Sequence, residues 1–439
     1  MVMIAQVYLW DMFVGVLNWD DNLKVGQFEF DPGFVESGLE ICPINMPLNK
    51  NRVYSFPALP VDTFKKLPPI FADSLPDAYG STLMDAWLAR SGRNRASFTP
   101  VERLLYQNNR GMGALEYRPA IETTSNTTEK IQLDALVKFA EQVLQSREAM
   151  KDRIEANDPS LEDEALKRLI QVGTSAGGAR AKAVIAINEE NEIRSGQVKA
   201  PQGFSYWLLK FDVQKNSADL ADTLGYGRIE YAYHLMALEA KIEMTECRLL
   251  EEGGRAHFMT KRFDRTDEGE KIHMATLCAL DSADFNMPGA YSYELALIVM
   301  RQLNVSRDDA IEFFRRMVFN VIARNQDDHT KNVGFLMDTD GEWFLSPAYD
   351  VSWAYKKDSE WVSSHQMSIN GKRDDLELND LLEVGKKIQG LSNKEIKKII
   401  QEVYDSVSSW EIFASKAGVD EYTIEKIKST HRLYLGEDL

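Results

Sequence analysis

Short runs of β-branched and aromatic residues open the chain, at Val7–Leu9, Phe13–Val16 and Gln27–Phe30, each broken off by Asn, Asp or Gly. That alternation predicts strands with turns between them. The apolar spacing changes to a helical period within Pro76–Arg93 and again at Val101–Gln107, so the opening region reads as α+β. A polar connector, Thr-Thr-Ser-Asn-Thr-Thr at 123–128, yields to a helix whose apolar positions Leu133, Leu136, Val137, Ala140, Val143 and Leu144 fall three or four apart. Strand patterns return at Ala183–Ile187 and Tyr206–Phe211, then at Cys247–Leu250 and His257–Arg262 on either side of a Glu-Glu-Gly-Gly turn. A helix at Ile229–Lys241 lies between them. Beyond residue 265 the period is mainly helical, interrupted by a hairpin expected near 333–345.

Composition narrows the field. A chain of 439 residues has room for about two to four folding units. With 44% hydrophobic and 27% charged residues it is globular rather than disordered or collagen-like. A net charge of −17 disfavours unaided binding to nucleic acid or to anionic lipid. Cys42, Cys247 and Cys278 have neither disulfide-framework nor zinc-site spacing, which fits a reducing cytoplasm. The apolar start contains Asp11 and lacks a basic n-region, so it is expected to be a strand and not a signal peptide. No run approaches the roughly 18 uncharged apolar residues of a membrane span. His234, His257, His273, His365 and His431 are scattered without ligand spacing and read as structural or exposed, and Trp353, Trp361 and Trp410 read as packing residues.

Candidate chemistry concentrates after a helix that Ser306 and Asp309 would cap and that turns Ala310, Ile311, Phe314, Met317, Val318, Val321 and Ile322 inward. Where that helix should end stands Asn325-Gln-Asp-Asp-His-Thr-Lys-Asn332. The hairpin that follows, with its Asp338-Thr-Asp-Gly341 turn, brings Asp350 back beside Asn332. Phosphoryl transfer needs a carboxylate to orient the attacking hydroxyl and oxygen ligands to hold magnesium against nucleotide phosphates. In protein kinases the catalytic Asp is followed by four residues and then Asn, a separation that Asp327 and Asn332 share and Asp328 does not. Asp327 is therefore the expected base, Asn332 and Asp350 the magnesium ligands, and Asp328 a like-charge neighbour of the base. Either Lys331 or His329 would stabilise the transferring phosphoryl group.

The nucleotide side of such a site is expected upstream. Gly173, Gly177 and Gly178 allow close backbone approach to phosphate, Ala179 belongs to the same expected nucleotide-binding run, and Arg180 and Lys182 add positive charge, although the run is not a Walker A loop. Lys210 lies in an apolar strand pattern, with Glu230 on the next helix as its expected ion-pair partner. Residues 259–263, including Lys261 and Phe263, close the last strand of the mixed region and are expected to meet adenine. ATP and Mg2+ are the implied cofactors.

These residues resemble the HipA serine/threonine kinase toxins of bacterial toxin–antitoxin systems. The resemblance rests on Phe71-Ala-Asp-Ser-Leu-Pro-Asp77, the Ser-x-x-Gly-x-x-x-Lys loop at Ser175, Gly178 and Lys182, Arg262-Phe-Asp-Arg265, Asp327-x-His-x-Lys-Asn332 and Tyr349-Asp350. It implies an α+β, two-lobed, protein-kinase-like fold with a mixed β-rich N-terminal lobe and a mainly helical C-terminal lobe. The corresponding domains are an α+β subdomain at 1–122, a nucleotide-binding part at 123–265 and a helical lobe at 266–439. It also implies phosphorylation of a cytoplasmic protein, in known cases an aminoacyl-tRNA synthetase, autophosphorylation at Ser175, and neutralisation by a HipB-like helix-turn-helix antitoxin. Contact with DNA would pass through that partner. Two departures stand out: Asp328 replaces a common Gly, and Met274–Ala279 stands where the family has an acidic, Gln-containing segment. The alternatives are a small-molecule kinase using the same Asp-x4-Asn chemistry, and a nucleotide-binding pseudokinase acting as a partner-binding subunit.

Overall fold

A computed structural model describes residues 3–76, 80–81, 84–85, 97–119, 130–132, 134, 137, 181–212 and 225–437. The expected helix at 133–144, most of that at 76–93, and the glycine-rich run with Ser175, Gly177, Gly178, Ala179 and Arg180 lie outside the described residues. The chain divides into two compact units, one comprising 1–39, 48–227 and 248–274, the other 40–47, 228–247 and 275–439.

The first unit holds two five-stranded sheets. In the first sheet β1 (Met3–Leu9), β2 (Met12–Asp20), β3 (Val25–Phe30), β4 (Val53–Ser55) and β5 (Leu115–Arg118) run antiparallel in the order β4-β3-β2-β1-β5. Period-two alternation sets the register: Ala5, Val7 and Leu9 of β1 are buried, and a one-residue slip would expose all three. Phe28, Phe30, Phe34, Tyr54, Phe71 and Tyr117 fill the core beneath this sheet with edge-on and tilted ring contacts and one stacked pair, Phe30 on Phe34. Helix α1 (Pro100–Gln107) is set by a capping box between Thr99 and Glu102.

The second sheet takes β6 (Lys182–Ile187), β7 (Ile193–Ser195), β8 (Ser205–Lys210), β9 (Cys247–Glu252) and β10 (Arg255–Lys261) in the order β7-β6-β8-β10-β9. Every residue of β6 is buried, as expected of a strand covered on both faces. One carboxylate ties the second sheet to the first. Asp264 receives both arms of Arg262, at 2.8 and 2.7 Å, an Arg265 N–H at 2.8 Å and the Gly113 N–H at 2.7 Å. Arg265 also donates to the Gly111 and Gly113 carbonyls. Burial opposes the Asp264 charge, but the two guanidiniums and the Gly113 N–H outweigh it and hold the carboxyl far below the usual range. The Arg-Phe-Asp-Arg motif is thus an internal fastening.

In the second unit, α2 (Tyr226–Glu239, grouped here from Arg228), α3 (Tyr293–Gln302), α4 (Arg307–Ile322), α5 (Leu378–Gly385), α6 (Asn393–Ser408), α7 (Trp410–Lys416) and α8 (Glu421–Lys428) supply the helical framework. The Ser306 side chain accepts from the Asp309 N–H at 3.0 Å, so the expected cap is present. Helix α4 buries Phe313, Phe314, Met317, Val318, Phe319, Val321 and Ile322, and α6 lays Ile396, Ile399, Ile400, Val403 and Val407 in the core beside it. Trp410 packs edge-on against Tyr233 and His431, as its reading as a packing residue required.

A three-stranded sheet, β11 (His273–Thr276), β12 (Gly334–Met337) and β13 (Trp343–Leu345), sits at the chemistry-bearing loop. The hairpin was expected; β11 was not. Four residues are too few to show a period against a helical background, and the strand state comes from pairing with distant chain. Just after it, the Leu277 N–H meets the Val333 carbonyl at 2.8 Å. No helix among the described residues is long and apolar enough to cross a membrane.

Candidate active site

Helix α4 ends at Ile322, and the following Arg324 takes a left-handed conformation with φ of 57° that turns the chain out of the helix. The chain then enters the polar loop 325–332. Its backbone is fixed early: the Gln326 N–H bonds to the Ala354 carbonyl at 3.1 Å and the Ala354 N–H to the Arg324 carbonyl at 3.1 Å. The loop closes with a single 3-10 turn, Thr330–Asn332, whose Thr330 hydroxyl donates to the Ala283 carbonyl at 2.8 Å.

Hairpin geometry delivers the other half of the site. Phe335 pairs with Leu345 and Met337 with Trp343, while Asp338 Oδ1 accepts from the Asp340 and Glu342 N–H groups to close the turn. The returning segment is fastened at three points: the Ser346 N–H to the Gly334 carbonyl, Arg316 to the Ser346 carbonyl, and the Ala348 N–H to the Glu243 carbonyl. The Tyr349 hydroxyl then donates to the Lys331 carbonyl at 2.6 Å, which brings Asp350 to the end of the polar loop. Asp350 has φ of 56°, in the left-handed region that Asp tolerates better than most residues.

Asp327, His329, Asn332 and Asp350 all line one recess of this unit, together with the apolar side chains of Phe313, Phe319, Val351 and Met367. Asn332 Nδ2 donates to the Asp327 main-chain carbonyl at 2.8 Å, so its side-chain oxygen is the atom left to meet a cation. Among the described residues no three His, Cys, Asp or Glu side chains form a metal-holding cluster. The donor set still fits magnesium, which is commonly held by one or two protein oxygens together with nucleotide phosphates. Asn332 and Asp350 would hold it, and it would neutralise charge on the phosphates.

The two adjacent aspartates have different environments. Asp327 keeps its side chain 40% exposed and accepts the Trp361 indole N–H at 2.6 Å, with His329 Nε2 3.8 Å away. Asp328 is buried and takes His365 Nδ1 at 2.8 Å, the Gln366 N–H at 2.7 Å and the Tyr293 hydroxyl at 2.8 Å. Burial opposes its charge, but these partners together hold the carboxyl below the usual carboxylate range. Asp328 therefore anchors the loop, a role different from the like-charge neighbour read from the sequence. Tyr293 extends the network through Asn320 to Asn325, and burial followed by the nearby Asp328 charge pushes its phenol well up.

Of the two candidates for the phosphoryl group, His329 lines the recess, its ring 5.4 Å from Phe285 and 6.2 Å from Trp361. Lys331 instead places its ammonium 5.0 Å from the centroid of the Phe285 ring. In the first unit, Lys182 and Lys210 are both buried and directly opposed on β6 and β8. The Lys210 ammonium lies 5.6 Å from the Phe258 ring centroid. Lys261 pairs with Asp267 at 2.8 Å, Phe263 follows the end of β10, and Glu230 is buried on α2.

No spacing in the chain announces Trp361 or Tyr293 at this loop, because their partners are distant in sequence, whereas His365, expected to be structural or exposed, is structural.

The family description of the HipA-like C-terminal domain matches residues 174–410, more than half of the chain, and that of the HipA N-terminal domain matches residues 5–118. A solved complex of the Shewanella oneidensis MR-1 toxin–antitoxin system, HipA with HipB and its operator DNA, is similar with a TM-score of 0.63 and 15% identity, covering 97% of this chain and 95% of that chain. The Helicobacter pylori proinflammatory kinase CtkA gives a TM-score of 0.34 and 14% identity over 58% of this chain and 93% of that chain. No curated protein sequence matches.

Proposed function

Because the chain belongs to the HipA family, we propose that it is an ATP- and magnesium-dependent serine/threonine protein kinase of the toxin type. The supporting observation is the gathering of Asp327, Asn332 and Asp350 around one recess. Asp327 orients the acceptor hydroxyl and takes its proton as the oxygen attacks the γ-phosphorus and the bond from that phosphorus to the β,γ-bridging oxygen breaks, releasing ADP. Asn332 and Asp350 hold magnesium, and His329 faces the transferring group. Lys182 and Lys210 bind the nucleotide phosphates, the run 174–182 covers them, and Glu230, Lys261 and Phe263 complete the nucleotide-binding set. Ser175, beside Arg180 and Lys182, is the autophosphorylation site; a phosphate there would carry about −1.5 to −2 charges and draw the loop away from nucleotide.

The acceptor is a serine on a cytoplasmic protein, with an aminoacyl-tRNA synthetase as first candidate, and its phosphorylation arrests translation. A HipB-like antitoxin is the partner, and DNA is reached through it. The HipB and operator DNA in the Shewanella complex support that partnership. Transfer of phosphate from labelled ATP to lysate proteins tests the activity, with Asp327→Ala expected to lose about 100-fold or more. An Asp327→Ala protein as active as wild type removes the assignment. Ser175→Ala tests self-modification, since phosphate should vanish from the tryptic peptide that contains it.

A further inference from the structure

The segment after Asp350 returns to the loop at two adjacent side chains. The Gln366 N–H donates to Asp328 Oδ1 at 2.7 Å, the Gln366 side-chain amide donates to the Trp361 carbonyl, and the Trp361 indole donates to Asp327 Oδ1 at 2.6 Å. The turn that presents Trp361 is itself held, with the Trp361 and Val362 N–H groups both on Ser359 Oγ at 3.1 Å. The circuit is closed: the buried aspartate secures the segment, and the segment secures the exposed one.

We propose that Trp361 is a positioning residue for phosphoryl transfer, fixing Asp327 by one carboxylate oxygen so that the other meets the acceptor hydroxyl. The inference rests on the kinase reading of this site. Three features carry it. First, burial does not force the bond: Asp327 is 40% exposed and Trp361 is only half-buried, so water could serve both groups. Second, the indole N–H meets a carboxylate oxygen at 2.6 Å, and hydrogen bonds to an ionised acceptor are stronger than neutral ones. Third, an indole N–H donates and never accepts, so it orients a carboxylate without competing for the proton that the base must receive. The Trp361 ring also stands beside His329, 6.2 Å between centroids, and so borders the two side chains closest to the chemistry.

The test compares Trp361→Phe and Trp361→Gln in the full chain. Phe keeps ring bulk and loses the donor; Gln loses the ring but carries an N–H the same number of bonds from Cβ. For Trp361→Phe, kcat should fall by about 10- to 100-fold with KM for ATP within about twofold, because the base is misaligned while nucleotide contacts persist. Trp361→Gln should recover part of that loss, the reverse of the order that a packing role gives. Indole 15N spectra supply a readout independent of turnover: the signal that Trp361→Phe deletes should move on Asp327→Asn. Folded Trp361→Phe protein with unchanged or raised kcat overturns the proposal, as does Trp361→Gln no better than Trp361→Phe, or an indole signal indifferent to Asp327→Asn. A wild-type protein that transfers no phosphate removes the kinase reading itself, whereas an active wild type with any of those results removes Trp361 alone.

Discussion

Arg432 donates an Nη1–H to His365 Nε2 at 2.8 Å, and since a guanidinium has no lone pair to offer, the imidazole must be the acceptor. His365 therefore carries its proton on Nδ1 and gives that hydrogen bond to Asp328 Oδ2 at 2.8 Å. Arg432 also donates to the Val321 carbonyl and to Asp374, so the tautomer is fixed from the end of α4 and from the loop before α5.

Breaking this relay should cost stability and activity together. His365→Phe leaves the buried Asp328 carboxylate short of a donor, for an expected loss of about 3 kcal/mol in urea unfolding. Arg432→Met should cost a similar amount. The two losses should not add, because each disables the same hold on Asp328; full additivity would show the relay to be two unrelated contacts.

Asp350 combines a chemical role with an uncommon backbone. Asp350→Gly and Asp350→Val should both abolish phosphate transfer. The Val variant should be less stable than the Gly variant by about 1–3 kcal/mol, since a β-branched residue is strained at a φ of 56°. Equal melting temperatures for the two would count against the left-handed conformation at this position.

The fastening at Asp264 gives a prediction for the first unit. Asp264→Ala removes the charge that pairs Arg262 and Arg265 and should cost about 3–5 kcal/mol. Because the folded state holds this carboxyl below its ordinary value, its contribution is complete above about pH 4 and is lost as pH falls toward the folded value. Denaturant titrations of the variant should accordingly lack that component of the acid sensitivity of wild type.

His431 acts at milder pH. The Tyr233 hydroxyl donates to the Ala323 carbonyl at 2.6 Å, so His431 Nε2, 3.1 Å from the Tyr233 oxygen, must be its donor, and its buried Nδ1 has no partner. Burial, then the nearby Arg324 charge, pushes the ring down to about 3. The unfolded chain binds this proton first as pH drops, so stability falls from about pH 6.5 toward pH 3, at up to about 1.4 kcal/mol per unit. His431→Gln should flatten that slope between pH 6 and 4; an unchanged slope would assign the acid sensitivity elsewhere.

How far the chain could be read follows the range of the interactions. The α+β class, strands such as Val7–Leu9 and Ala183–Ile187, and helix 307–322 with its Ser306 cap are written in local periodicity and capping chemistry. The recess was also within reach, because a hairpin is a local device and returns Asp350 to Asn332 by its own geometry. Strand β11 was not, being defined by its partner. Nor was the anchoring of Asp328, whose donors His365 and Tyr293 lie 37 and 35 positions away. Trp361 looked like any core indole until Asp327 appeared at its N–H.

The position of Arg432 has a consequence for synthesis. It stands 67 positions downstream of the His365 it fixes, while the loop it steadies is translated long before. At roughly 5–20 residues per second a nascent chain spends several seconds with that loop made but unbraced. Until Arg432 has followed, the loop lacks the guanidinium that fixes its buried imidazole, so this part of the chain is ordered by a residue made well after it.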